Sequence, residues 1–137
     1  MIVGFDLDGT LDKPELAELA KYFLAGGHIV HVITSTFPES GPWQSMESKF
    51  AKLVRIGIPM NHDLTNKNPI RGHATLHVLL PIDKDVEPSI DARLRDLGLQ
   101  KGNLTQRLGC DLFFDDSATF CEMIPRMDGH VTVLRVM

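Results

Sequence analysis

The sequence has little cysteine. Cys110 and Cys121 are the two in 137 residues, and their spacing matches no metal-binding pattern. A disulfide framework and a cysteine-based zinc site are therefore excluded as organising features. Reduced thiols in a cytoplasmic protein are the expectation. Long apolar runs are also missing. None approaches the roughly 20 residues needed to cross a bilayer. The opening stretch already carries acids, so neither a signal peptide nor a membrane partner is expected. Positive charge is not in excess. A formal charge of -4 and a pI near 5.8 give no global attraction for nucleic acid or acidic lipid. A local basic patch that binds oligonucleotide ends stays open, as does a homo-oligomer. Repeats, low-complexity tracts and long linkers are absent. What is present is a 43% hydrophobic chain of a length suited to a single domain over 1–137 with its own core.

The stretch richest in chemistry is Ile2 to Asp12, Ile-Val-Gly-Phe-Asp-Leu-Asp-Gly-Thr-Leu-Asp. Ile2 to Phe5 reads as a short buried parallel strand that delivers Asp6 and Asp8 to its carboxyl end. In open α/β sheets that edge binds ligands. Residues two apart on a strand share a face, and Gly9 permits a sharp exit. Two carboxylates this close repel each other, so ionising both calls for a cation. Oxygen ligands suit Mg²⁺. A divalent ion would in turn attract phosphate, which one Asp could attack while the other moves a proton. The plain alternative is a solvated Asp-Leu-Asp turn.

Downstream, strands and helices alternate. Asp12-Lys13-Pro14-Glu15 predicts a helix capped by Asp12, with Leu16, Leu19, Ala20, Phe23 and Leu24 on its apolar face and Gly26-Gly27 at its end. His28 to Ile33 is a second strand ending in Thr34-Ser35-Thr36. Phe37 to Pro42 is a loop on the same edge as Asp6 and Asp8. Trp43, Met46, Phe50, Leu53 and Val54 mark an amphipathic helix. Its other face carries Lys49, Lys52 and Arg55, a charge stripe of the kind that is usually solvated. Residues 58–72 read as a loop at the opposite edge, which argues against Lys67 and Arg71 as substrate contacts. Thr75 to Leu80 is a third strand. His73 and His77 have the spacing of a helical metal pair, but in a strand no such site is expected.

A loop with Asp83, Lys84 and Asp85 leads to a short helix, Pro88 to Leu97, with Ile90, Leu94 and Leu97 inward and Gly98 at its end. Lys101-Gly102 opens a further segment. Cys110 to Phe114 is a fourth strand, ending in a second acid pair, Asp115-Asp116. Ser117 to Ile124 predicts a helix with Phe120, Met123 and Ile124 inward, stopped by Pro125. His130 to Val136 is a fifth strand. The alternation predicts a mainly parallel three-layer α/β sheet.

Asp6-Leu-Asp8-Gly9-Thr10 resembles the first motif of the haloacid dehalogenase (HAD) superfamily of phosphohydrolases. Further resemblances follow in family order. Thr34, with Ser35 beside it, matches the hydroxyl of the second motif. Lys101, fourteen residues before Asp115, matches a common form of the third. Asp115-Asp116 resembles the fourth. The resemblance implies a small capless domain with a Rossmann-like sheet of order 5-4-1-2-3. It implies Asp6 as nucleophile and Asp8 as general acid/base, with Mg²⁺ at Asp6, Asp8, Asp115 and Asp116. Gly9, Thr34, Ser35 and Lys101 would meet the phosphoryl group, and Lys84 and Lys67 are fallback lysines. The implied reaction is hydrolysis of a phosphate monoester through an aspartyl-phosphate. The alternative is a non-catalytic Mg²⁺- or phosphate-binding module that keeps the fold. Without room for a cap domain the implied site is open, suiting large or protruding substrates or a lid from a partner subunit.

Overall fold

The computed structural model describes residues 1–123 and 130–137. Five short strands rich in Val, Ile, Leu and Phe pair edge to edge: β1 (Ile2–Phe5), β2 (Ile29–Ser35), β3 (Thr75–Leu79), β4 (Leu112–Asp115) and β5 (Thr132–Arg135). Every neighbouring pair is parallel, in the order β3-β2-β1-β4-β5. That is the expected 5-4-1-2-3 order read from the other edge. β1 lies at the centre, which puts Asp6 in the middle of the carboxyl edge.

Helices α1 (Pro14–Ala25), α2 (Met46–Ile56), α3 (Ile90–Arg107) and α4 (Ala118–Met123) complete the alternation. Side chains alternate between the two faces of a strand, and the core divides accordingly. Val3, Phe5, Val30 and Val32 pack with Phe23 and Leu24 of α1 and Leu53 of α2. Ile33 and Phe113 pack with Leu97 of α3 and Phe120 of α4. The result is three layers, helix on sheet on helix.

Several sequence expectations need correction. Asp12 does not cap α1. The ring of Pro14 drives the residue before it into an extended conformation, so Lys13 takes the cap position with no side-chain bond. Asp12 instead accepts from the Gly9 N–H at 2.8 Å. Gly98 does not end a helix, because α3 runs unbroken through Gly98 and Gly102 to Arg107. A helical glycine costs about 1 kcal/mol relative to alanine. Packing of Leu97 and Leu104 of the same helix, and of Leu108 at its end, into the core outweighs it. Lys101 therefore sits inside a helix rather than opening one. Trp43 precedes α2 in a short turn, Pro42–Gln44, and is exposed, as are Val54 and Ile90, which were expected to face the core. Finally, Lys49 is buried rather than solvated.

Residues 58–72 hold no strand or helix beyond isolated bridges, as expected. Ile124 and Pro125 fall outside the described residues. No helix among the described residues is long and apolar enough to cross a membrane.

Candidate active site

The parallel pairing of β1 with β4 brings Phe5 level with Phe114. Asp6 and Asp115, each one residue further on, therefore emerge side by side. The Asp6 N–H donates to the Phe114 carbonyl at 2.8 Å, fixing the exit of the chain. Asp115 is wholly buried and doubly held. Its Oδ1 accepts from the Ser117 N–H at 2.9 Å, and its Oδ2 from Lys101 Nζ at 3.0 Å.

Lys101 reaches this point from the opposite direction. Its stem is buried within α3, and its ammonium lies 3.4 Å from Asp6 Oδ1 and 4.2 Å from the centre of the Phe120 ring. The cation is thus shared between two carboxylates and an aromatic face. Carboxylate oxygens of Asp6, Asp115 and Asp116 lie within 4.8 Å of one another. Burial pushes the Asp6 carboxyl up to about 8. It outweighs the pull of Lys101, and Asp115 and Asp116 push the same way. Burial raises Asp115 as well, against the same lysine. Three acids facing one ammonium leave two negative charges in excess when all are ionised. A hard divalent cation with oxygen ligands fits that deficit and that donor set.

The turn after β1 separates Asp8 from this cluster. Leu7–Leu11 winds into a tight helical turn broken at Asp8 and Gly9, and Gly9 has φ 81°. Only glycine adopts that conformation readily, and a Cβ there would collide with the Asp116 carboxylate. Asp8 leaves the turn half exposed and facing α2. Lys49 donates to its Oδ2, and Lys52 to its Oδ1 at 2.8 Å. Lys52 also reaches Asp12 at 2.6 Å. Partial burial pushes the Asp8 carboxyl up, but the two lysines outweigh it and hold its pKa below the usual value. Asp8 is thus held ionised.

Thr34 lies near the end of β2, next to β1. Its hydroxyl is buried and donates to the Ser35 carbonyl at 3.4 Å. Ser35 closes the strand opposite Leu79. Neither makes a hydrogen bond to Asp6 or Lys101 among the described residues. The fallback lysines are elsewhere. Lys67 donates to the Leu76 carbonyl at 2.7 Å, and Lys84 lines a cavity with Glu39 and Arg93. His77 does not meet His73. Its Nε2 pairs with Nδ1 of His31 at 3.0 Å inside the sheet.

Lys49 and Lys52 were not picked out as site residues from the sequence. Their signal was present in the cationic stripe at 49, 52 and 55. Periodicity identifies the polar face of a helix but not what that face meets. Comparison with known protein families, with curated proteins and with solved structures finds no match to this chain.

Proposed function

We propose that the chain is a Mg²⁺-dependent phosphatase of the HAD type, hydrolysing a phosphate monoester through an aspartyl-phosphate. The observation that carries this reading is the meeting of Asp6, Asp115, Asp116 and Lys101 at one sheet edge. Asp6, Asp115 and Asp116, with the Asp8 carbonyl, would hold Mg²⁺, whose charge offsets that of a phosphoryl group. Lys101 adds a fixed cation beside the nucleophile. The buried Thr34 hydroxyl, Ser35 and the backbone at Gly9 are the further phosphoryl contacts in this reading.

In the first step an Asp6 oxygen bonds to phosphorus as the bond to the leaving oxygen breaks, and Asp8, once it has taken up a proton from solvent, passes it to that oxygen. In the second, Asp8 takes a proton from water, which attacks phosphorus. The bond to Asp6 breaks and inorganic phosphate leaves. Lys49 and Lys52 keep Asp8 ionised, which suits the second step and opposes the first.

That tension favours one other reading, a non-catalytic Mg²⁺- or phosphate-binding module in which Asp8 is only a structural ion pair. Assay of a panel of phosphorylated metabolites, peptides and oligonucleotides, with and without Mg²⁺, separates the two. The phosphatase reading expects Mg²⁺-dependent release of phosphate that is lost in a folded Asp6→Asn variant. Turnover surviving that change would remove Asp6 as nucleophile. Phosphate binding with no turnover on any ester would favour the module. The free cysteines fit a cytoplasmic location, which belongs to the same proposal.

A further inference from the structure

The carboxyl edge also holds a charged cavity beside Asp8. It encloses about 330 Å³, and Asp8, Trp43, Ser48, Lys49, Lys52 and Arg55 line it. The wall comes from one face of α2: Ser48, Lys52 and Arg55 follow at four- and three-residue spacing. The start of that wall is pinned. Ser45 Oγ accepts from the Ser48 N–H at 3.1 Å, and Ser48 Oγ donates to the Pro42 carbonyl at 3.0 Å.

Trp43, the only tryptophan in the chain, stands at the rim with 62% of its surface exposed. Gly41 has φ 131°, and a Cβ there would stand 2.9 Å from the indole nitrogen, so glycine leaves room for the edge of the ring at this position. An exposed indole beside cations is a group on which nucleobases stack. Lys49 and Lys52 are engaged by Asp8 and Asp12. Arg55 lines the cavity without a carboxylate partner among the described residues. Its guanidinium fork matches phosphate. With Lys49 and Lys52 paired to Asp8 and Asp12, Arg55 is the cation left over at this cavity.

We propose that this cavity is the leaving-group subsite, and that it takes a phosphate monoester whose alcohol carries a nucleobase and a second phosphate. Nucleoside bisphosphates and phosphorylated ends of single-stranded oligonucleotides share that chemistry. The inference rests on the phosphatase reading only for where the scissile phosphate lies. The base stacks on Trp43, and the second phosphate meets Arg55.

The test uses the Asp6→Asn chain in Mg²⁺, where no turnover is expected. Trp43 fluorescence and calorimetry follow binding of inorganic phosphate, ribose 5-phosphate, a nucleoside 5′-monophosphate, a nucleoside 3′,5′-bisphosphate and a 3′-phosphorylated trinucleotide. The ring is expected to tighten binding about tenfold and to quench Trp43. The second phosphate adds about another tenfold. By calorimetry, Trp43→Ala abolishes the first preference and Arg55→Ala the second. Both positions are exposed, so both variants should fold. A trinucleotide that binds tighter than the bisphosphate identifies polymer ends as the source. Equal affinity identifies the free nucleotide. If ring and second phosphate give no advantage and Trp43 is not quenched, the subsite is overturned, even where the wild type hydrolyses simple esters. If the preferences hold and no ester is turned over, the phosphatase reading falls and the nucleotide subsite stands.

Discussion

Asp6 and Asp8 lie two residues apart, and their surroundings titrate them in opposite directions. Asp6 enters a buried space crowded by Asp115 and Asp116, and burial lifts its carboxyl to about 8 despite Lys101. Asp8 is half exposed, and Lys49 and Lys52 overcome its partial burial to hold it ionised. One turn produces the contrast. The backbone at Asp8 (φ -70°, ψ 125°) and Gly9 swings the second acid out of the sheet edge and onto α2. Neighbouring carboxylates whose surroundings separate their pKa values are suited to different roles. Here one shares a single ammonium with Asp115, and the other has two lysines beside it.

The contrast can be tested at several points. On the proposed phosphatase reading, Asp6→Asn has the largest expected effect, lowering the steady-state rate at least about a thousandfold. Asp8→Asn lowers it about a hundredfold, the lower end for a lost acid–base group. The two variants should also part in thermal melts without metal. Asp6→Asn relieves a crowded buried acid and raises Tm. Asp8→Asn leaves buried Lys49 without its carboxylate and lowers it. Shifts of the same sign would dissolve the distinction.

Gly9→Ala sharpens it differently. The new Cβ forces the Asp116 carboxylate away from Asp6 and Asp115. Mg²⁺ affinity, read by calorimetry, should weaken about tenfold, the scale of a disturbed ligand support. Unchanged affinity would remove Asp116 from the metal set.

The pH dependence of stability is a smaller effect. In the fold Asp6 keeps its proton to about 8, against an ordinary 3.8. The folded state therefore binds the extra proton across that window, and this group's contribution to stability falls as pH rises from about 4 to 8. In the proposed metal site Mg²⁺ needs the carboxylate, so its stabilising effect should grow towards pH 8. Melts with and without Mg²⁺, wild type against Asp6→Asn, should show that slope in the wild type alone.

The smallest effect lies away from the acids. Burial pushes His31 and His77 down to about 4 from an ordinary 6.5. The unfolded chain takes up protons first, so the pair's stabilisation is complete above about 6.5 and is lost as pH falls towards 4. A His31→Leu/His77→Leu variant should flatten that acid limb in denaturant titrations. An unchanged limb would mean that other groups cause it.

Much of the architecture was legible because short-range patterns report burial. Apolar runs ending at Asp6, Thr34 and Asp115 became strands with those residues at or next to their carboxyl ends. Alternation with helices implied the parallel sheet. The misreadings involve residues whose state depends on distant packing. Gly98 carries the local signature of a helix stop, yet the packing of Leu97, Leu104 and Leu108 holds the helix through it. Lys49 belongs to a polar stripe, yet Asp8 lies across from it. Trp43 fits an apolar helical face, but the turn that precedes α2 leaves it outside.

The sequence by itself determined which residues sit at strand ends, because side-chain periodicity and turn chemistry act over a few residues. Only the tertiary structure decided which charges meet. Lys101 joins Asp6 across a separation of 95 residues, and Lys49 joins Asp8 across 41. Such pairings depend on strand order and helix rotation, which the whole core sets at once.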